Sequence, residues 1–276
     1  MNTLSTLLTP AMATYLMGLL SRNTRTSGGS LALLCASVSH DTLRRVLSQK
    51  VPGSRRLWEF FAPGLVQMGG SLVSDDTRWE RCTRVAEAVC GVGSRSGGKP
   101  VWGRQVGLVV WTKGKGKVPG GIRLWRKGGP AKVELAMGLR RQARHHGRQP
   151  AYSLGDSWDA AAQILNLLEG WGGHYGMRLK SNRTFGEGSL RPTWPPRSGP
   201  AQGDLRGVGH SVVVIKDGPR YWGTNALTLT PRDVKVHYSP RQQIEETLRL
   251  LKQEVGWGHC SCRTQHPPWA HLPLGL

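Results

Sequence analysis

The sequence predicts an α/β protein, in which a mixed sheet is flanked by helices and follows a small helical N-terminal domain. Three observations lead to this fold class. Residues 1–66 repeat apolar side chains at helical spacing. From residue 70 onwards short apolar runs separated by Gly-rich turns indicate strands. Helical stretches then alternate with those strands towards residue 252.

Composition indicates a partner rich in phosphate. The 276 residues include 38 Lys and Arg against 17 Asp and Glu, a formal charge of +21 with a pI near 10.8. Nucleic acid is the leading partner for such a balance. No basic amphipathic helix has the wide apolar face that a membrane-surface protein needs. Thr and Ser interrupt the apolar first twenty residues, so we expect neither a signal peptide nor a membrane span there. Five cysteines without a regular framework favour a reducing cytoplasm.

The N-terminal 66 residues read as three helices. Apolar positions between Leu4 and Leu19 share one helical face, and further helices are predicted at Ser30–Ser37 and Asp41–Leu47. Ser39 is placed to cap the last of these. Such a unit would serve either as a DNA-binding head or as a helical cap on the next domain, and the sequence leaves both open.

Three strands and a basic helix follow. The first strand, Ser71–Ser74, is predicted to end at Asp75, with Asp76 as the neighbouring acid that is hardest to distinguish from it. The next two strands, Gln105–Thr112 and Gly121–Trp125, form a hairpin across the Gly-rich segment between them. A helix is predicted from Lys132 to His146. Arginines cluster near its end, where they suit either DNA or the helix dipole: Arg140, Arg141, Arg144 and Arg148.

A strand, acid, helix and strand unit comes next. Ala151–Gly155 reads as a strand that presents Asp156 at the start of a helix, Ser157–Gly170, before the strand His174–Leu179. An Asp at such a position is also a common helix N-cap. Residues 186–209 read as a loop-rich insert, and a hairpin with its turn at Asp217-Gly218 follows.

One amphipathic helix is predicted from Tyr238 to Lys252. Its apolar stripe consists of Ile244, Leu248, Leu251 and Val255. A second stripe holds one acid among three bases: Arg241, Glu245, Arg249 and Lys252. On the helix alone, a solvated charged face is the simpler interpretation.

The spacing of Tyr238, Arg241, Glu245 and Lys252 resembles the Tyr-Arg-Glu-Lys motif of DDE transposases from bacterial insertion sequences. Asp75, followed after one residue by Thr77, resembles the first catalytic acid of that family. Asp156-Ser157-Trp158 resembles the region of the second acid, and the basic strand end at residues 178–183 resembles the one that follows it. The resemblance implies a catalytic domain over residues 67–258 with a ribonuclease H-like fold, and a C-terminal tail, 259–276, that is shorter than in relatives.

The resemblance also implies the chemistry. Asp75, Asp156 and Glu245 would be the catalytic acids and would hold Mg²⁺, with Mn²⁺ as a substitute. The DNA-binding residues would be Tyr238, Arg241, Lys252, Arg178, Lys180 and Arg183. The expected activity is cleavage of double-stranded DNA at transposon ends and strand transfer into target DNA. The expected setting is a homodimer on DNA at the nucleoid of a bacterial cytoplasm.

Two other functions remain compatible with the same residues. A shortened chain could bind transposon ends without cutting them, as a catalytically inactive remnant. Alternatively, a ribonuclease H-like nuclease with the same acids would act on hybrids or branched DNA and ignore terminal repeats.

Overall fold

The computed structural model describes residues 8–20, 39–46, 69–80, 88–92, 101–114, 116–190 and 199–253. Within these ranges the helices are α1 (Pro10–Leu20), α2 (His40–Val46), α3 (Lys132–His145), α4 (Ala162–Glu169), α5 (Pro231–Tyr238) and α6 (Arg241–Gln253). The strands are β1 (Ser71–Glu80), β2 (Cys90–Val92), β3 (Val101–Lys113), β4 (Gly116–Trp125), β5 (Tyr152–Gly155), β6 (His174–Leu179), β7 (Thr184–Phe185), β8 (Gly188–Ser189), β9 (Ala201–Asp204), β10 (Ser211–Asp217) and β11 (Arg220–Thr224). None of these helices combines the length and apolar character needed to cross a membrane.

A nine-stranded mixed sheet organises the part of the chain from β1 to β11. Its strands run in the order β2-β3-β1-β5-β6-β11-β10-β9, and β4 pairs with β3. Strands β1, β3 and β4 are antiparallel, whereas β1, β5 and β6 are parallel to one another. Helices α3 and α4 connect the parallel strands, as crossovers must. Three antiparallel strands that continue into parallel ones define the ribonuclease H-like arrangement, and the predicted fold class is confirmed.

The two faces of the sheet carry different helices. Successive side chains of a strand point to opposite faces, and β1 shows this alternation directly. Leu72 packs with Leu139 of α3, whereas Val73 packs with Ile244 of α6. Side chains at even positions of β1 therefore face α3, and those at odd positions face α6.

The apolar stripe of α6 anchors this helix on the sheet. Ile244 is fully buried, and Leu248 and Leu251 are each 6% exposed. They pack with residues of β1, β3, β4 and β5 in a single core cluster. The burial of each such side chain stabilises the folded state by about 1.5–3 kcal/mol. The predicted apolar stripe is confirmed at these three positions. Val255 lies outside the described residues.

Strand β1 is longer than the sequence predicts. It continues to Glu80 and pairs with β3 along its whole length, with Asp75 opposite Leu108. The prediction that Asp75 ends the strand is therefore wrong, because the backbone groups of the polar residues find ladder partners on β3. The parallel pairing with β5 stops at Val73 and Leu154. Asp75 consequently lies just beyond the parallel part of the sheet.

The hairpin between β3 and β4 has a tighter turn than predicted. Lys113 pairs with Gly116, so most of the Gly-rich segment continues the ladder and only residues 114–115 connect the strands. Gly114 has a φ of +58°, a left-handed conformation that suits glycine in such a turn. A register shift between Val109 and Val110 absorbs one extra residue.

Helix α4 begins later than predicted. Residues 157–160 form turns, and the helix starts at Ala162 with Ala161 as its N-cap. The carboxylate of Asp156 accepts the backbone N–H of Trp158 at 2.8 Å, which stabilises the turn instead of a helix start. Asp156 is therefore not the helix N-cap.

The predicted loop-rich insert contains strands at both of its ends. Gly188–Ser189 pairs with β7, and Ala201–Asp204 pairs with β10 at the edge of the large sheet. Residues 191–198 lie outside the described ranges. The hairpin of β10 and β11 is confirmed, and Gly218 in its turn has a φ of +56°.

The predicted single helix from Tyr238 to Lys252 is two helices. Tyr238 ends α5, and α6 starts at Arg241 after the dipeptide Ser239-Pro240. The residue before a proline avoids helical backbone angles, and proline has no N–H for an intrahelical hydrogen bond. The Ser239 hydroxyl instead donates to the Val236 carbonyl at 2.8 Å.

Near the N-terminus, α1 and α2 contact each other. The predicted cap is present, because the Ser39 hydroxyl accepts the Thr42 N–H at 3.2 Å. The predicted helix at residues 30–37 and the predicted tail at 259–276 lie outside the described residues.

Candidate active site

The side chains of Asp75 and Asp156 lie at one edge of the sheet. The parallel register pairs Val73 with Leu154. Two residues further along, Asp75 of β1 and Asp156, the first residue after β5, line one cavity, and the Asp75 carboxylate contacts Arg241 of α6. The charge of Asp156 accordingly raises the pKa of Asp75. The structure therefore brings together the two aspartates on which the sequence interpretation depends.

The Asp75 carboxyl is unusually basic for an aspartate. Its side chain is 9% exposed, and its pKa is raised to about 7, with burial as the largest cause. The Arg241 guanidinium lowers this pKa, whereas Asp156 raises it. The Asp75 carboxylate also accepts the backbone N–H of Asp76 at 2.9 Å. The net upward shift means that nearby positive charge does not offset burial and negative neighbours.

Asp76 points to the other face of β1. It accepts a hydrogen bond from the Gln105 side-chain amide and lies 3.8 Å from the Lys132 ammonium at the start of α3. The strand alternation thus separates the two neighbouring acids that the sequence could not distinguish.

Asp156 lies immediately after β5. Its pKa is raised, mainly by burial and next by the negative charge of Asp159, while the Trp158 N–H and the Arg241 guanidinium oppose the shift. A partly buried carboxylate among other acids favours a cation nearby.

Helix α6 contributes a basic and an acidic side chain. The Arg241 guanidinium lies 3.5 Å from the Asp75 carboxylate and forms an ion pair with Glu245 one turn later. Glu245 itself is 57% exposed. Arg241 therefore lies between Asp75 of β1 and Glu245 of α6. Its two ion pairs link Glu245 to Asp75.

Tyr238 fixes the end of α5 against β5. Its hydroxyl donates to the Gly155 carbonyl at 3.0 Å, and its ring centroid lies 4.2 Å from that of the buried Trp222. Burial raises the pKa of the Tyr238 phenol. The hydroxyl thus has a structural partner one residue before Asp156.

The other residues assigned to DNA occupy different surroundings. Arg178 and Lys180 are exposed at the end of β6, and the Lys180 ammonium lies 4.2 Å from the ring of Trp158. The Arg183 guanidinium donates to the Arg206 carbonyl at 3.4 Å, and burial lowers its pKa. Lys252 lies in the last turn of α6, about 16 Å along the helix axis from Arg241 at 1.5 Å per residue.

Sequence reasoning missed a buried cluster behind the two aspartates. Arg140 is 1% exposed and forms an ion pair with Asp159 at 2.9 Å, although the sequence suggested DNA or the helix dipole as the partner of this arginine. A signal was present: Ala136, Leu139, Arg140 and Ala143 follow the spacing of the apolar face of α3. Arg140 lies on that face, so its burial could be found from periodicity.

Three carboxylates are candidates to hold a divalent cation. Asp75, Asp156 and Glu245 offer oxygen ligands, which Mg²⁺ prefers. Among the residues that the structure describes, no group of three or more His, Cys, Asp or Glu has the arrangement of a metal site. The Arg241 guanidinium lies between the carboxylates of Asp75 and Glu245 and supplies positive charge to both. The carboxylate oxygens of the two aspartates fit a divalent cation, and the raised pKa of Asp75 agrees with this. Glu245 can join them as a third ligand when its carboxylate leaves Arg241 for the cation.

A family model described as "Transposase DDE domain" matches residues 72–272 of the chain. This range includes all three acids and the basic residues of β6 and α6. No curated protein sequence matches the chain.

Solved structures with similarity to this chain include the following three complexes. The piggyBac transposase in a synaptic complex with hairpin DNA is 14% identical, with a TM-score of 0.49, over 96% of this chain and 62% of that one. The Drosophila P element transposase strand transfer complex is 14% identical over 58% of this chain and 36% of that one, with a TM-score of 0.34. The Mos1 strand transfer complex is 16% identical over 59% and 56%, with a TM-score of 0.23. The chain thus spans less than two thirds of the length of each of these proteins.

Proposed function

The chain belongs to the transposase DDE domain family, and from this membership we propose that it cleaves DNA at transposon ends and joins the freed 3′ ends to target DNA. The observation that carries the proposal is that Asp75 and Asp156 line one cavity, with Asp75 in contact with Arg241 of the helix that also bears Glu245. We further assign Tyr238, Arg241, Glu245 and Lys252 to the Tyr-Arg-Glu-Lys motif of bacterial insertion sequences.

In this proposal Asp75, Asp156 and Glu245 hold the divalent metal, Mg²⁺ or Mn²⁺. A bound divalent cation would activate a water or a DNA 3′-hydroxyl and stabilise the leaving oxygen of an in-line displacement at phosphorus. The raised pKa of Asp75 supports the assignment, because a bound cation would stabilise the ionised carboxylate that burial disfavours. Glu245 is accessible on α6 and joins the two aspartates by leaving Arg241.

The basic side chains bind the phosphates of double-stranded DNA. Arg241 offers a planar fork for two phosphate oxygens once the carboxylates no longer occupy it. Arg178 and Lys180 are exposed on the strand next to Asp156, so both suit the DNA backbone beside the cleaved bond. Arg183, Lys252 and the Tyr238 hydroxyl complete the proposed contacts. A homodimer on DNA at the bacterial nucleoid would bring two transposon ends together.

A cleavage assay on a duplex that carries the terminal inverted repeats bracketing the gene tests this function. We expect Mg²⁺-dependent nicking by the wild-type protein and a loss of at least about 1,000-fold in Asp156→Ala and Asp75→Asn, on the scale seen when catalytic groups are removed. Asp204→Asn is the matched control, because this exposed aspartate lies on β9 at the far edge of the sheet, and it should retain cleavage within a few-fold. Equal cleavage by wild type and Asp156→Ala would contradict the proposal.

The ion pair of Arg241 with Glu245 favours a second candidate. If this pair persists with metal present, the third carboxylate stays occupied, and the protein binds transposon ends without cutting them. That candidate predicts salt-sensitive binding to the repeats and no nicking. A panel with RNA–DNA hybrids and branched DNA separates both from a general ribonuclease H-like nuclease, which would cut those substrates without repeats.

A further inference from the structure

A buried polar cluster joins α3 to the two strands that carry the aspartates. The Arg140 guanidinium contacts the Asp159 carboxylate at 2.9 Å and donates to the Ser74 hydroxyl at 2.5 Å. The Ser74 oxygen lies 3.0 Å from the second carboxylate oxygen of Asp159 and 3.2 Å from the Leu154 carbonyl. Arg140, Asp159 and Ser74 are 1%, 7% and 5% exposed. We call these three residues the Arg140 cluster.

Two members of the cluster, Ser74 and Asp159, lie close in sequence to the aspartates of the candidate site, and Arg140 joins their side chains. Ser74 directly precedes Asp75 on β1, and its hydroxyl bridges to Leu154 of β5, two residues before Asp156. Asp159 lies in the turn segment 157–160 that directly follows Asp156. The Arg140 cluster therefore joins β1, β5 and the turn after β5 from the α3 face, while Asp75 contacts Arg241 of α6 on the other face.

The packing at Gly155 shows how closely the turn is held. An ideal Cβ at Gly155 would lie 2.6 Å from a carboxylate oxygen of Asp159 and 2.7 Å from its Cγ. Only glycine allows the Asp159 side chain to fold back against β5 at this distance. The position of Asp159, and with it the turn that starts at Asp156, is thus fixed on two sides.

Net stability does not explain why this cluster is charged. Removing two ions from water is unfavourable, and apolar residues of similar volume often replace a buried ion pair without loss of stability. An ion pair with several hydrogen bonds does fix the geometry of the groups it joins. Residues behind metal ligands have this effect, and their loss typically weakens metal binding or activity by about 10- to 100-fold.

We propose that the Arg140 cluster is a positioning element, which holds the carboxylates of Asp75 and Asp156 at the separation required to share one divalent cation. This inference rests on the proposed function, in which both aspartates hold metal. Arg140, Asp159 and Ser74 are positioning residues and contact neither metal nor DNA.

Mn²⁺ titration of the full chain without DNA, followed by electron paramagnetic resonance, tests the proposal. The variants are Ser74→Ala, which removes only the bridging hydroxyl, and the double variant Arg140→Met/Asp159→Leu, which removes both charges together. Relative to wild type, we expect the Kd for Mn²⁺ to rise about 10-fold or more in the double variant and about 3- to 10-fold in Ser74→Ala. Metal-free affinity for DNA should stay within about 2-fold, a split that general unfolding would not produce.

Arg148→Met is the matched control for the loss of a buried arginine. Arg148 is also 1% exposed, but its guanidinium donates to the Pro119 carbonyl of β4 at 3.3 Å. We expect lower thermal stability in this variant with an unchanged Kd for Mn²⁺. If the double variant does not fold, Ser74→Ala still decides the question, because a wild-type Kd in that variant overturns the proposal.

The same titration separates this inference from the proposed function. If Asp156→Ala abolishes Mn²⁺ binding while both cluster variants bind Mn²⁺ like wild type, the positioning role alone is overturned. A wild-type protein that binds no Mn²⁺, or whose binding is insensitive to Asp156→Ala, overturns the metal-dependent function and the positioning role with it.

Discussion

At the scale of single residues, Asp75 links folding to pH. Its pKa is about 7 in the folded protein against an ordinary 3.8, so between these values the folded state binds more protons than the unfolded chain. The free energy of unfolding should therefore fall as pH rises from 5 to 8. Asp75→Asn should lack this decline and exceed wild type at pH 8 by up to about 4 kcal/mol, from 1.36 kcal/mol per pKa unit. Urea unfolding in EDTA at both pH values measures it.

Asp233→Asn gives the opposite sign and serves as the control. The Asp233 carboxylate accepts hydrogen bonds from the Thr230 N–H and hydroxyl at the start of α5, and these bonds lower its pKa. Its contribution to stability is present at neutral pH and is lost on acidification, so Asp233→Asn should be less stable than wild type at pH 8. Parallel pH profiles for wild type and Asp75→Asn would contradict the assigned burial of Asp75.

The sequence predicted part of the candidate site and missed the part that requires tertiary packing. Strand-end acids and a helical stripe pointed to Asp75, Asp156, Arg241 and Glu245, and the structure brings these residues into one region, where their catalytic roles stay predictions. For Arg140 the sequence offered DNA or the helix dipole as partner, because a buried ion pair is unexpected on an apolar helix face without knowledge of the acid. Asp159 comes from another element, and only the packing of α3 on β1 and β5 reveals the pair.

At the scale of elements, periodicity predicted which segments form helices and strands but not all of their limits. The apolar stripe of α6 and the register of the β10–β11 hairpin follow from local patterns. Polar residues 75–80 continue β1 because β3 supplies hydrogen-bond partners, which the sequence of β1 alone does not encode. Pro240 is a local signal for the break between α5 and α6. The prediction of one helix overlooked it, because the Tyr-Arg-Glu-Lys motif extends across this proline.

The break between α5 and α6 is held to β5 by Tyr238. Its hydroxyl donates to the Gly155 carbonyl, so Tyr238→Phe leaves a partly buried acceptor unpaired while the ring still packs on Trp222. We expect a loss of about 1 kcal/mol in the free energy of unfolding, measured by urea denaturation without DNA. Unchanged stability together with weaker binding to DNA would instead show that the hydroxyl acts on a phosphate, as the sequence suggested.

At the scale of the whole molecule, positive charge exceeds negative charge by 21, yet most charged side chains at the candidate site are acidic. Asp75, Asp76, Asp156 and Asp159 line one cavity together with Lys132, Trp158 and apolar side chains of α3. A neighbouring cavity is basic, with Lys180, Arg183 and Arg206 in its wall. Trp158 lines both. This separation of acidic and basic side chains suits a polyanion that binds in the basic cavity. Such a polyanion would approach the acidic side chains only where a cation compensates their negative charge.

This division predicts which lysine governs the salt dependence of DNA binding. Each phosphate contact contributes about 0.9 to the slope of log affinity against log salt for duplex DNA. Lys180→Gln should therefore reduce that slope by about 1 and weaken binding at low salt. Arg141→Gln is the charge-matched control, because Arg141 is exposed on the later half of α3. The end of that helix borders a cavity with Gly69 and Ala151, which precede β1 and β5 and so lie at the opposite end of these strands from the candidate site. Fluorescence anisotropy from 50 to 300 mM salt measures both slopes, and equal changes in the two variants would show that the charge acts diffusely over the surface.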